Sequence, residues 1–263
     1  MFALMLGTLV LGASAQKTFS VLGDSYSTFR GAIPQGYANY YPSMGNDIAT
    51  IDQTWWSLIA AQNGWTLKKN DSWSGSTICT TGYGGGDYTN QAFLNRTDRL
   101  DNPDMIFVFG GTNDFNSQLP LGEFYALEKA TVSRNGKQIE SMRRVLNFDN
   151  GTFCGRLNRL LSTLKNNCPD ARIVMLTPIH RGFAKFSDTN EQPEETWANG
   201  IDLFLDDYIN KMVEASRLWA VPLLDLNVQC ELYPVSPAYD GFVNKTDTDR
   251  LHPNTAGHRR MAL

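Results

Sequence analysis

The feature that most constrains this chain is a set of short, largely apolar runs, most of them cut off by a turn signal. Met105–Phe109 reads MIFVF and stops at Gly110-Gly111; Arg172–Leu176 reads RIVML and stops at Thr177-Pro178. Five apolar residues in succession, or the four after Arg172, suit a strand buried on both faces, as in a parallel sheet covered by helices. Thr18–Leu22 (TFSVL, ended by Gly23-Asp24), Trp65–Lys69 (ended by Asn70-Asp71) and Val221–Leu226 (VPLLDL) extend the series. Between them, Gln53–Gln62, Thr152–Asn166 and a long stretch from about Glu194 to Leu218 read as helices, and Pro253 to Leu263 begins another. In Thr152–Asn166 the residues Phe153, Leu157, Leu160, Leu161 and Leu164 fall on one helical face. Residues 28–53, rich in Gly, Pro, Tyr and Asn, read as an irregular excursion. Strands alternating with helices predict an α/β fold, whose ligands bind beyond the carboxyl ends of the strands.

With 263 residues, 42% hydrophobic and 19% charged, the chain can bury one large core and is too apolar for disorder. A net charge of −4 supplies no basic footprint for nucleic acid or an anionic membrane. The first fifteen residues are apolar and end in Ala13-Ser14-Ala15, a small-x-small cleavage pattern, although no basic residue precedes them. The run is short for a bilayer span, which needs about 20 residues. A signal peptide over residues 1–15, one domain over 16–263 and a secreted or periplasmic location are therefore expected. A monomer is expected as well.

Four cysteines, Cys79, Cys154, Cys168 and Cys230, suit an exported protein with up to two disulfides. Cys154 and Cys168 should lie at opposite ends of one helix, about 21 Å apart, too far to bridge. Cys79–Cys154 with Cys168–Cys230, Cys79–Cys230 alone, and four buried free thiols all stay open. No cysteine or histidine cluster has zinc-ligand spacing, so neither metal nor cofactor is expected.

Chemistry narrows with the histidines, of which there are three: His180, His252 and His258. His252 follows Asp249 by three residues, and a carboxylate at that spacing can reach back to the ring, fix its tautomer and stabilise the imidazolium. Ser25, in Gly23-Asp24-Ser25-Tyr26-Ser27, is presented where the first strand ends, with Gly23 permitting the tight turn. Two further loops can donate to an oxyanion. Ser74-Gly75-Ser76 follows the second strand, and Gly110-Gly111-Thr112-Asn113-Asp114 follows the third. Each feature alone has a plainer role as a cap or a turn. The G-x-S-x-G elbow of α/β-hydrolases does not occur.

Taken together and in order, Gly23-Asp24-Ser25, Gly75, Gly111-Thr112-Asn113 and Asp249-x-x-His252 resemble the SGNH (GDSL-type) hydrolase family, from about residue 18 onward. The resemblance implies a three-layer α/β/α sandwich with a five-stranded parallel sheet. It implies Ser25 as nucleophile, His252 as base and Asp249 as orienting acid, with Ser25 N–H, Gly75 N–H and the Asn113 amide as oxyanion donors. Tyr26 stands where leucine is commoner. Asp247, two residues before Asp249, is the weaker candidate for the acid.

Asp24, Tyr26, His180 and Tyr83 are expected to line the substrate site. Thr81–Tyr88 is glycine-rich without a P-loop lysine, and is expected to be a mobile loop beside the oxyanion site. Sequons begin at Asn70, Asn95, Asn150 and Asn244. The reading that absorbs most of these residues is a serine esterase acting on a small-molecule or polysaccharide ester, carbohydrate deacetylation being the expected substrate class. A lipase, thioesterase or acyltransferase could use the same residues. A non-catalytic carbohydrate-binding protein would have no use for a matched nucleophile and base.

Overall fold

A five-stranded parallel sheet organises the computed structural model, which describes residues 16–43, 45–82 and 85–262. In chain order the elements are β1 (Thr18–Gly23), α1 (Trp55–Asn63), β2 (Thr66–Asn70), β3 (Met105–Phe109), α2 (Thr112–Asn116), β4 (Tyr125–Arg134), β5 (Lys137–Leu146) and α3 (Phe153–Asn167). They continue with β6 (Arg172–Leu176), β7 (Ala184–Ser187), β8 (Asn190–Gln192), α4 (Leu205–Trp219), β9 (Leu223–Leu224), α5 (Leu226–Gln229), β10 (Val243–Lys245), β11 (Asp249–Pro253) and α6 (Thr255–Met261). The central sheet has the order β2-β1-β3-β6-β9.

Alternate side chains of these strands enter two separate cores. Leu22, Ile106, Val108 and Met175 pack on one face with Leu157, Leu160 and Leu161 of α3 and Met212 of α4. Phe19, Val21, Phe107, Phe109, Val174 and Leu176 pack on the other with Trp55 and Trp56 of α1 and Met261 of α6. The apolar runs are continuous because both faces are covered. Register then sets where the site lies. Gly23 pairs with Phe109 and Phe109 with Leu176, so three strands end level and deliver Asp24, Gly110 and Thr177 to one edge.

Several expectations change. The long helix from about Glu194 shortens to Leu205–Trp219 because Asn199 Oδ1 accepts from the N–H groups of Ile201 and Leu203 at 3.1 Å each, holding a turn. The last strand shrinks from Val221–Leu226 to Leu223–Leu224; Pro222 supplies only a carbonyl, to Met175 N–H at 2.9 Å. Two features were not foreseen. One is the β4–β5 hairpin, closed by Asn135-Gly136 with φ of 50° and 76°, a pair suited to a two-residue turn. The other is a small antiparallel sheet of order β10-β11-β7-β8, in which Asp249–Pro253 is a strand.

All four cysteines are buried free thiols. Cys79, Cys154 and Cys168 belong to the α3–α4 core, and Cys230 donates to Leu226 O at 2.7 Å. The proposed signal segment, residues 1–15, lies outside the described residues. Among the described residues no helix is long and apolar enough to cross a membrane.

Candidate active site

Ser25 owes its position to a turn that only glycine can start. A Cβ on Gly23 would come within 2.8 Å of both Ser27 Oγ and Ser72 Oγ. The chain then makes a single 3-10 turn, Ser25–Ser27, capped by Asp24, whose Oδ1 accepts from Tyr26 N–H at 3.1 Å. Ser25 is 6% exposed, and its Oγ lies 2.9 Å from His252 Nε2, across 227 residues of sequence. Behind the ring, His252 Nδ1 is 3.2 Å from each Asp249 oxygen. The spacing works because Asp249 Oδ1 also accepts from the backbone N–H of Leu251 and His252, at 3.2 and 3.0 Å, folding the carboxylate back over its own strand. Asp247 is exposed and accepts from the neighbouring Thr248 Oγ1 at 3.3 Å, so Asp249 is the carboxylate that faces the ring.

Two residues absent from the sequence reading complete this arrangement. Tyr40 stacks on His252, with ring centroids 3.5 Å apart and planes 11° off parallel, and its hydroxyl donates to Asp249 Oδ2. Asn244 Nδ2 donates to the same oxygen at 2.9 Å. Burial alone would raise the Asp249 carboxyl, but the charge and hydrogen bond of His252, with those of Asn244 and Tyr40, hold it below the usual carboxylate range. Burial, and then the charge of Asp249, raise the Tyr40 phenol, so it stays a donor. Nothing in the local sequence signals Tyr40, which comes from the irregular excursion.

Gly75 adopts φ of +78°, the left-handed region, with open space where a Cβ would stand. Among the described residues, neither Gly75 N–H nor Ser25 N–H donates to any protein group. Asn113, at the start of α2, is engaged: its Nδ2 donates to Ser76 O at 3.1 Å and reaches Asp24 Oδ2 at 3.5 Å. It can therefore meet a substrate oxygen by giving up the longer contact. Behind these loops lies Arg96, fully buried, another residue the sequence did not announce. Its Nη2 donates to Gly23 O at 3.2 Å and Ser76 Oγ at 3.0 Å, its Nη1 donates to Asp71 O and lies 3.6 Å from Asp71 Oδ1, and its Nε donates to Gln91 O at 2.9 Å. One guanidinium thus ties the Ser25 turn to the Gly75 loop. Asp114 does similar work, accepting from Ile78 N–H at 3.1 Å and Cys79 N–H at 3.2 Å. Burial pushes both Asp24 and Asp114 up to about 7.

The expected lining residues fare differently. Asp24 and Tyr26 are buried beneath the nucleophile, 0% and 1% exposed, because one caps the turn and the other stacks on Phe109 at 5.4 Å. Neither lines a substrate site. His180 is not drawn to Ser25; its Nδ1 pairs with Glu195, which raises its pKa, and its ring meets Tyr233 edge-on. Tyr83 lies outside the described residues. His258 is fully buried, accepts from Trp55 N–H at 3.0 Å at the start of α1, and is pushed down to about 3 by burial and then by His252. Of the sequons, Asn70 is buried with Nδ2 on Ser27 O at 2.8 Å, and Asn244 is committed to Asp249. At the mouth stand Phe186, 44% exposed with its ring 5.8 Å from that of His252, and the stacked pair Tyr37–Trp73 beside the Gly75 loop. Among the described residues no group of three His, Cys, Asp or Glu is placed to hold a metal ion.

A hydroxyl, an imidazole and a carboxylate in line, beside two unengaged backbone donors, form an arrangement for nucleophilic attack on a carbonyl. Comparison with known proteins agrees in kind. The family profile described as GDSL-like Lipase/Acylhydrolase matches residues 17–185, more than half of the chain. Among solved structures, a candidate GDSL-like lipase from Bacteroides uniformis is 27% identical, with 94% of this chain and 92% of that one covered at a TM-score of 0.64. A counterpart from Bacteroides ovatus is 24% identical, with 95% of each chain covered at 0.65. A carbohydrate esterase family 2 enzyme of Myceliophthora fergusii shares the fold at 16% identity, with 94% of this chain and 63% of that one covered at 0.50. No curated protein matches in sequence.

Proposed function

The chain belongs to the GDSL-like lipase/acylhydrolase family, an esterase family, and from that premise we propose that it hydrolyses carboxylic esters through an acyl-enzyme on Ser25. Ser25 Oγ attacks the carbonyl carbon as His252 Nε2 takes the hydroxyl proton, and the carbonyl oxygen becomes an oxyanion received by Ser25 N–H, Gly75 N–H and the Asn113 amide. Collapse expels the alcohol, protonated by His252. Water, deprotonated by the same nitrogen, then attacks the acyl carbon and frees Ser25. Asp249 holds the imidazole and balances its charge. The observation that carries this reading is the 2.9 Å contact between Ser25 Oγ and His252 Nε2, with Asp249 behind the ring. Ser25→Ala and His252→Ala should each lower kcat/KM on a chromogenic acetate ester by about 10⁴-fold or more. Wild-type turnover by Ser25→Ala would end the proposal.

Within the esters, we place the substrate among O-acetylated carbohydrates. An exposed aromatic face at the site supports this, that of Phe186 beside His252, and Trp197, 66% exposed, offers another. Trp197 borders a cavity of about 170 Å³ that it shares with Asn116 and Gln118, whose amides suit sugar hydroxyls. Asn116 is one helical turn from Asn113. Acetate release from acetylated xylan or pectin, set against long-chain acyl esters, separates this reading from a lipase. Export rests on the apolar segment 1–15 and is checked by the N-terminal sequence of the mature protein.

A further inference from the structure

The β4–β5 ribbon has no part in the proposed chemistry, yet it is the most regular piece of the molecule outside the central sheet. Ten residue pairs run without a bulge from Tyr125↔Leu146 to Arg134↔Lys137. It exposes apolar side chains on both faces: Leu127 and Met142 at 62% and 55%, Val132 and Ile139 at 40% and 37%. A lone two-stranded ribbon is marginally stable in water, and a straight, unbulged edge is a template for another strand.

The outer edge of β5 indicates which strand that is. Asn147 N–H donates to Phe124 O at 2.8 Å, which assigns the ladder bonds to odd positions of β5. Gln138, Glu140, Met142 and Arg144 therefore turn their N–H and C=O groups outward. Laid antiparallel against itself about a two-fold axis at Met142, this edge sets Glu140 opposite Arg144, Ile139 opposite Val145 and Met142 opposite Met142. Other registers lose this match. An axis at Glu140, Arg143 or Arg144 sets like charges face to face, and one at Ser141 sets Ile139 against Arg143.

Along the paired edges two basic ribbons meet, so net charge favours the pairing only beyond the ladder, where the hairpin tip approaches the acidic remainder of the second copy. The ribbon holds Lys129, Arg134, Lys137, Arg143 and Arg144 against Glu128 and Glu140, a net +3, whereas the whole chain is −4, leaving −7 on the remainder. In the Met142 register, the Asn135-Gly136 tip reaches the level of Asp149 in the second copy, and brings Arg134 and Lys137 with it. We infer that β5 pairs with β5 of a second copy of this chain, giving a four-stranded antiparallel sheet across a two-fold axis.

Sedimentation velocity over a dilution series tests this on the full chain. Wild type should be a dimer that dissociates on dilution. Glu140→Arg and Arg144→Glu should each weaken the dimer about 100-fold, because each sets two pairs of like charges face to face. The Glu140→Arg/Arg144→Glu double variant should restore it. Unchanged far-UV circular dichroism and a cooperative thermal transition show that the variants are folded. A wild type that is monomeric at its highest soluble concentration overturns the inference. So does a dimer indifferent to both single substitutions, or a double variant no tighter than the singles.

Discussion

Ser25, Gly75 and Asn113 stand on turns leaving the parallel sheet, whereas Asp249 and His252 stand on β11 of a small antiparallel sheet, and the two regions are held by different forces. The first is anchored from behind. β1 and β3 are buried in two apolar cores, and Arg96, Asp114 and the Asp24 cap fasten the emerging loops through groups that see no water. The second is held at its reactive end by polar groups. β11 pairs with β10 at two positions and with β7 at one, exchanges backbone hydrogen bonds with Gly182 and Phe183 through Arg250, and sends Leu251 into the second core. The Asp249 carboxylate itself, however, is set by a few polar groups: Tyr40, Asn244 and the two backbone donors. A region held by buried backbone contacts should fail by unfolding. One held by a few polar side chains should lose alignment, and hence rate, while still folded.

The sharpest way to break that contrast is Arg96→Met. Removing one partner of a buried ion pair costs about 3–5 kcal/mol, which in a chain of this size lowers Tm by roughly 10 °C. Calorimetry should show it, and an unchanged Tm with lost activity would reverse the assignment. Asp24→Asn comes next. The folded carboxyl titrates at about 7 and the unfolded one at 3.8, so its contribution is fully present below about pH 4 and is lost as pH rises through 7. The Asn variant should gain on wild type across that interval, reaching about 4 kcal/mol in denaturant titrations at pH 8. A pH-independent difference would remove the buried carboxyl from the account.

On the other side of the site, Tyr40→Phe keeps the ring over His252 and deletes one donor to Asp249. Its kcat/KM should fall about tenfold with Tm nearly unchanged, and a large loss of Tm would erase the distinction between the regions. Phe186→Ala should have the smallest effect. It should raise KM for an acetylated oligosaccharide about 5-fold and leave a chromogenic acetate untouched. Equal effects on both substrates would make Phe186 part of the scaffold.

How much could be read in advance follows from how local each cause was. β3 and β6 were legible to the residue because five and four apolar side chains in succession suit a strand covered on both faces. The Ser25 turn was legible because Gly23 and Asp24 act within four residues. The β4–β5 hairpin also carried a local signal, Asn135-Gly136, but its exposed strands lack the apolar alternation that would have drawn notice. The small antiparallel sheet had no local signal. β7–β8 and β10–β11 are hairpins with strands of only three to five residues, too short for a periodicity to show, and β11 meets β7 across a wide gap in the chain.

By itself the sequence determined the alternation of buried strands and helices, the turn that raises Ser25, and the three-residue step that lets Asp249 fold back on His252. These are short-range matters of sterics, capping and solvation. The tertiary structure decided what depends on groups distant in sequence meeting out of water. It set His252 at 2.9 Å from Ser25 across 227 residues, stacked Tyr40 on the imidazole, ran Arg96 behind both loops, and buried Asp24 and Tyr26 where they were expected to meet substrate. No spacing along the chain encodes those contacts, because they arise only when the sheet has brought its carboxyl edge together.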